Sequence, residues 1–151
     1  MRKAIIILLM SMVPFQYNAD LHETLDEQKF IKENNLEMVT LSCYTSTGNK
    51  NASGNWPKEG TCASNKAHLG MDVVIYNEDF IPIDRLHCED VGGNVLLRQG
   101  IAVDVYRDTY ERCVQYIKEH PKKIYVQWIN HDYEGELPTP DYIERLGIDT
   151  D

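Results

Sequence analysis

Positive charge is scarce in this sequence. Fifteen lysines and arginines face 24 aspartates and glutamates among 151 residues, a formal net charge of −9. Basic residues form no stripe or polybasic cluster. Nucleic acid is therefore not an expected partner, because binding a phosphate backbone needs clustered Lys and Arg. An anionic membrane surface is excluded on the same ground. The four cysteines, Cys43, Cys62, Cys88 and Cys113, contain no CxxC spacing, which argues against a zinc site built from them. Internal repeats, low-complexity segments and long Gly-, Ser- or Pro-rich linkers are also missing. The length permits one domain with a substantial core and not two.

No apolar run is long enough to span a bilayer as a helix. The longest, Ala4 to Val13, is about ten residues broken by Ser11, where a spanning helix needs about 20. It follows Arg2 and Lys3, precedes Pro14, and is followed by Ala19, a good last residue before cleavage. This pattern predicts a signal peptide over residues 1–19, export to the periplasm or the extracellular space, and no integral membrane span after processing. Cleavage there would remove two cations and no acid, leaving a charge of about −11. Four cysteines in an exported chain predict two disulfides, with three pairings open.

Residues 20–36 read as an N-terminal helix, with Leu21, Leu25, Gln28 and Ile31 near helical spacing and Asn34-Asn35 as its stop. From Met38 the period changes to two. MVTLSCYT places Val39, Leu41 and Cys43 on one face of a strand. A long polar loop, STGNKNASGNWPKEG, follows; loops of this length inside a domain are usually functional or disordered. GTCASN, MDVVIYN, IDRLHCED and GIAVDVY read as four further strands. RDTYERCVQYIKEH reads as a helix with Tyr110, Cys113, Val114 and Ile117 on one face, and KKIYVQWI as the last strand. The expected class is mainly β: a six-stranded closed barrel over residues 37–130 with one embedded helix, followed by a surface-hugging tail over 131–151.

Two aspartates stand out. Asp90 precedes the double glycine Gly92-Gly93, and Asp104 lies between Val103 and Val105 in an apolar strand. Burying a carboxylate there is costly unless something pairs with it or uses it. Asp90 can also be read as a turn cap, and Asp104 as a structural acceptor for backbone N–H groups. His87 to Asp90 (HCED) suggests metal ligands, but successive strand residues alternate faces and all four cannot converge. No metal and no cofactor is expected.

The ordered set of motifs resembles the three-aspartate domain, a double-psi β-barrel found at the C-terminus of membrane-bound lytic transglycosylase A and in stationary-phase muralytic proteins of Gram-positive bacteria. Thr40 and Tyr44 match its first strand, and Ser53, Gly54, Gly60 and Ala63 its loop. Leu69-Gly70 match its turn, Asp90, Gly92 and Gly93 its first acidic motif, and Gly100 and Asp104 its second. The likeness covers about Met38 to Trp128. It departs from the family pattern in four places. Asn65 stands in the third aspartate position and His68 in place of a proline. Arg98 stands where lysine is common, and the Gly93–Gly100 connection looks about three residues longer than usual.

The resemblance implies a six-stranded double-psi barrel that acts on peptidoglycan glycan strands. The implied reaction cleaves the β-1,4 bond between N-acetylmuramic acid and N-acetylglucosamine to a 1,6-anhydro product, with no water consumed. Asp104 would be the acid/base and Asp90 its orienting partner. Ile101, Val103 and Val105 would face the core, leaving Ala102, Asp104 and Tyr106 toward a groove. Tyr44 and Trp56 would stack on sugars, Ser53, Gly54 and Asn65 would line the site, and the Gly92-Gly93 backbone would let a glycan approach closely. A monomer is expected. Two other classes fit the same sequence: a non-catalytic glycan-binding barrel of the expansin or barwin kind, and a disulfide-stabilised interaction module.

Overall fold

The computed structural model describes residues 25–141. The expected signal peptide, its cleavage site and the last ten residues lie outside that range. The chain divides into two compact units, residues 1–35 and 36–151. In the first, residues 25–33 are helical (α1). The helix stops where Asn35 takes a left-handed φ of 52° and Asn34 Nδ2 donates to the Phe30 carbonyl at 2.9 Å. A left-handed residue just past the last turn is a common helix ending, and Asn tolerates it better than most.

The second unit is a closed six-stranded barrel. Its strands are β1 (Glu37–Tyr44), β2 (Thr61–Ser64), β3 (Met71–Tyr76), β4 (Pro82–Val91), β5 (Ala102–Tyr106) and β6 (Lys123–Asn130). Around the barrel they run β1-β5-β2-β4-β3-β6. β1 pairs parallel with β5, and β2 parallel with β4; the other four pairings are antiparallel. Replacing each strand by the one three places further on leaves this pattern unchanged. The halves β1–β3 and β4–β6 therefore interlock about a pseudo-two-fold axis, the double-psi arrangement. Closure leaves no free sheet edge to blunt.

The barrel interior is filled by small and branched side chains: Val39, Leu41, Cys62, Val73, Ile75, Leu86, Cys88, Val103, Val105, Ile124 and Val126, joined by Tyr116. This follows the period-two pattern of the strands. One expected core position differs. Ile101 is 46% exposed, because it precedes β5. Its N–H still closes the preceding loop on the Leu96 carbonyl at 3.1 Å.

Two helices, not one, are embedded in the barrel sequence. The longer, α3 (Tyr110–Glu119), starts at Thr109, whose side chain accepts from the Arg112 N–H, a standard N-cap. Its buried residues are Cys113 and Tyr116, while Tyr110 and Ile117 are exposed. The inward face is thus turned from the one the sequence suggested, and the Cys43–Cys113 disulfide, Cα–Cα 5.5 Å, pins it to β1. The shorter, α2 (Val95–Arg98), is capped by Asn94 and occupies the connection that looked about three residues too long.

Only one disulfide forms where two were expected. Cys62 and Cys88 are both buried and free, facing each other across the parallel β2–β4 pair inside the barrel. An even cysteine count does not distinguish a bridge from two core thiols. Among the described residues, no helix is long and apolar enough to cross a membrane.

Candidate functional site

The register places the two singled-out aspartates in one row across four strands. Ser42 on β1 lies opposite Asp104 on β5, Asp104 opposite Ala63 on β2, and Ala63 opposite Asp90 on β4. At the usual inter-strand spacing the two aspartate Cα atoms are about 10 Å apart, with only a methyl side chain between them. Cys62 points into the barrel, so Ala63 points away from it, and the acid row lies on the outer side of the sheet.

Asp104 is half-buried. Its Oδ1 accepts a hydrogen bond from Ser42 Oγ at 2.9 Å. Burial raises its pKa above the usual aspartate value; the Ser42 bond pulls it down, and the negative charge of Asp90 pushes it up again. Tyr44, at the end of β1, feels the charge of both acids: burial first, then Asp90 and Asp104, push its phenol well above the ordinary value. Its ring packs edge-on against Tyr106 at 5.5 Å. Tyr106 and Ala102 are themselves buried, so of the three residues expected to face a groove only Asp104 remains partly open.

Asp90 acts as an anchor. Its Oδ1 accepts from the Ala52 N–H and from its own neighbour's Val91 N–H, both at 2.9 Å. A register slip at Cys62/Ala63 turns two successive acids, Glu89 and Asp90, toward the loop over residues 45–60. Bulges of this kind re-aim side chains beside functional sites. Glu89 is buried and was missed by the sequence reading, although it is adjacent to Asp90. It accepts from Asn51 Nδ2 at 3.0 Å and Asn55 Nδ2 at 3.4 Å, with Lys58 Nζ at 3.4 Å. Burial alone would raise its pKa, but these bonds and the Lys58 charge outweigh burial and hold it below the usual glutamate value. Asn51 is the centre of the loop: its own side chain also accepts from the Asn55 N–H, and Ser53 N–H donates to the Glu89 carbonyl. The long polar loop is therefore an ordered wall.

The remaining expected site residues fall into two groups. Gly54 takes a positive φ of 82° in the loop turn. Trp56 is 61% exposed, so its side chain lies open to solvent and is not packed into the core. Gly93 has open space where a Cβ would stand, but Gly92 does not: a Cβ there would collide with the Leu97 side chain of α2. The missing side chain at Gly92 therefore admits Leu97, not a ligand. Asn65 caps the single 3-10 turn Lys66–His68, accepting from the His68 N–H at 3.0 Å, and its amide packs where a Cβ on Gly100 would come within 2.5 Å. A capping acceptor needs an oxygen and not a charge, so Asn serves there as well as Asp would. His68, the last residue of that turn, stacks on Trp128 with ring centroids 3.8 Å apart.

A second polar cluster involves none of the expected catalytic residues. Asp72 on β3 lies opposite His87 on β4. Asp72 Oδ1 accepts from His87 Nδ1 at 2.8 Å and from His131 Nδ1 at 2.7 Å, while Oδ2 accepts from Arg85 Nε at 2.7 Å. Of the four HCED residues, only His87 enters this cluster. The signal for Asp72 was the same as for Asp104: a lone acid in an apolar strand.

Comparison of the chain with protein-family models, with characterised proteins and with solved structures gave no match.

Proposed function

We propose that the protein is an exported peptidoglycan-cleaving enzyme of the lytic transglycosylase type, built on a barrel of the three-aspartate kind. The observation that carries this reading is Asp104: a half-buried carboxyl with a raised pKa, off the core, in the same row as a second acid and beside an ordered loop wall. A raised pKa keeps a carboxyl protonated closer to neutrality, as a general acid requires.

The chemistry needs a single such group. Asp104 protonates the glycosidic oxygen as the bond from C1 of N-acetylmuramic acid breaks. Its carboxylate then takes the proton from the C6 hydroxyl of the same sugar, and O6 closes on C1. The products are a 1,6-anhydro end and a free 4-hydroxyl on the departing N-acetylglucosamine, with no water consumed. Asp90 holds the loop through Ala52 and biases the Asp104 pKa by its charge. Trp56 on that loop and Tyr44 beside the acids offer ring faces to sugars. The Cys43–Cys113 disulfide is of the kind that persists in oxidising compartments, which supports export.

Product analysis on purified peptidoglycan tests the proposal against its rivals. Anhydro-muropeptides support it. Co-sedimentation with glycan strands without products would make the protein a binding module, and neither result would leave an interaction module.

A further inference from the structure

We propose that Asp72, His87 and His131 form a binding site for a divalent transition-metal ion, with zinc the ion their ligand class suits best. Among the described residues they are the one group of three or more Asp, Glu, His or Cys side chains whose ligand atoms all lie within 4.8 Å of one another. They come from three separate parts of the chain. β3 and β4 set Asp72 opposite His87, and the β3–β6 pair sets Met71 opposite Asn130, which brings His131 alongside. Leu86 and Cys88 point into the barrel, so His87 between them points outward.

The geometry is that of convergent ligands. Two imidazoles turn the same nitrogen, Nδ1, toward the same carboxylate oxygen. Their rings lie 4.0 Å apart. A tetrahedral ion with bonds of about 2.0–2.2 Å keeps its ligand atoms roughly 3.3 Å apart. The present 2.7–2.8 Å contacts would need to open by only about half an ångström to admit it. Without metal, each ring donates its Nδ1 proton to Asp72. With metal at Nδ1, the lone pair of that nitrogen is the ligand and the ring proton sits on Nε2.

The surroundings support such a site. Arg85 takes only Oδ2 of Asp72, leaving Oδ1 for the ion. The same guanidinium donates to the carbonyls of Tyr133 at 3.0 Å and His131 at 3.2 Å, so it holds both the carboxylate and the segment that carries His131. Partners of this kind fix ligand orientation in metal sites. The His131 side chain is 65% exposed and that of Asp72 7%, so the cluster is anchored on one side and open to water on the other. Three protein ligands and one open position is the pattern of a zinc site with an exchangeable fourth ligand.

The test uses the purified chain after dialysis against a chelator. Zinc chloride titrated calorimetrically is expected to bind at one equivalent and to raise the melting temperature. Cobalt chloride is expected to give the visible d–d absorption of a four-coordinate site with nitrogen ligands. His131→Ala, at an exposed position, should remove both signals while keeping the far-ultraviolet circular dichroism of the parent. His120→Ala, a histidine outside the cluster, should keep them. The proposal is overturned if no one-equivalent event is seen, if it survives His131→Ala, or if the cobalt spectrum of the unsubstituted chain is that of the hydrated ion. The last criterion holds whether or not any variant folds. Those outcomes would leave the cluster a hydrogen-bonded triad only.

Discussion

Removing the Cys43–Cys113 bridge should be the most costly change outside the barrel interior. The bridge joins residues 70 positions apart. In the chain-entropy treatment a loop of that length restricts the unfolded chain by about 4 kcal/mol at 25 °C. The bridge also carries one of the two buried residues of α3, so its loss frees the helix from β1 as well. At roughly 4 °C per kcal/mol for a domain of this size, Cys43→Ala/Cys113→Ala should melt about 15 °C below the parent. Reduction of the parent should reproduce most of that drop, and should do nothing to the double variant. Thiol titration of the denatured parent should give two thiols per chain before reduction and four after it, because Cys62 and Cys88 are free. A drop of only a few degrees would refute the entropy argument, and a parent with no thiols before reduction would refute the single-bridge assignment.

Gly92→Ala should destabilise by about 1–3 kcal/mol through overpacking, since the new Cβ would lie 2.5 Å from Leu97 Cβ; denaturant melts measure it, and Leu97→Ala in the same chain should relieve part of the cost. Asn51→Ala should loosen the 45–60 loop while the barrel holds, because it removes one side-chain bond to buried Glu89 and one to the Asn55 N–H; amide exchange should accelerate there and not in β3 or β6. Asp104→Asn should not destabilise at neutral pH. A carboxyl whose folded pKa is raised disfavours the folded state once ionised, and this penalty grows as pH climbs from the unfolded aspartate value through the folded one. The amide escapes the penalty and can still accept from Ser42. The variant should therefore melt at or above the parent at pH 7–8, with the advantage vanishing toward pH 3; a constant deficit at all pH values would contradict this.

The strands were legible because core-facing residues recur at every second position along most of them, as at Val39 and Leu41 or Val103 and Val105, and the ordered glycines pointed to closure. What escaped depended on partners remote in sequence. Val95–Arg98 is four residues of apolar and basic side chains, too short for a helical period to register, and only the Asn94 cap and the space at Gly92 reveal α2. The inward face of α3 is set by where Cys113 must reach Cys43, not by its own pattern, so Tyr116 enters the core and Tyr110 does not. Glu89 was hidden because strict alternation assigns it and Asp90 to opposite faces, and only the slip between Cys62 and Ala63 turns both toward the loop. Asp90 and Asp104 were legible as a pair, yet that one alanine separates them could be read only from the strand order. The Asp72, His87 and His131 cluster spans 59 residues and has no local motif.

In the proposed reaction Asp104 gives and takes the proton at a glycosidic bond. This role is tested most directly by mass spectrometry of the products from purified peptidoglycan, comparing the parent with Asp104→Asn matched for folded protein by thermal melt. The parent should give 1,6-anhydro-muropeptides, and the variant should form them more slowly by a factor of order 10²–10⁴. Equal product from both proteins, reducing ends in place of anhydro ends, or no product from the folded parent would contradict that role.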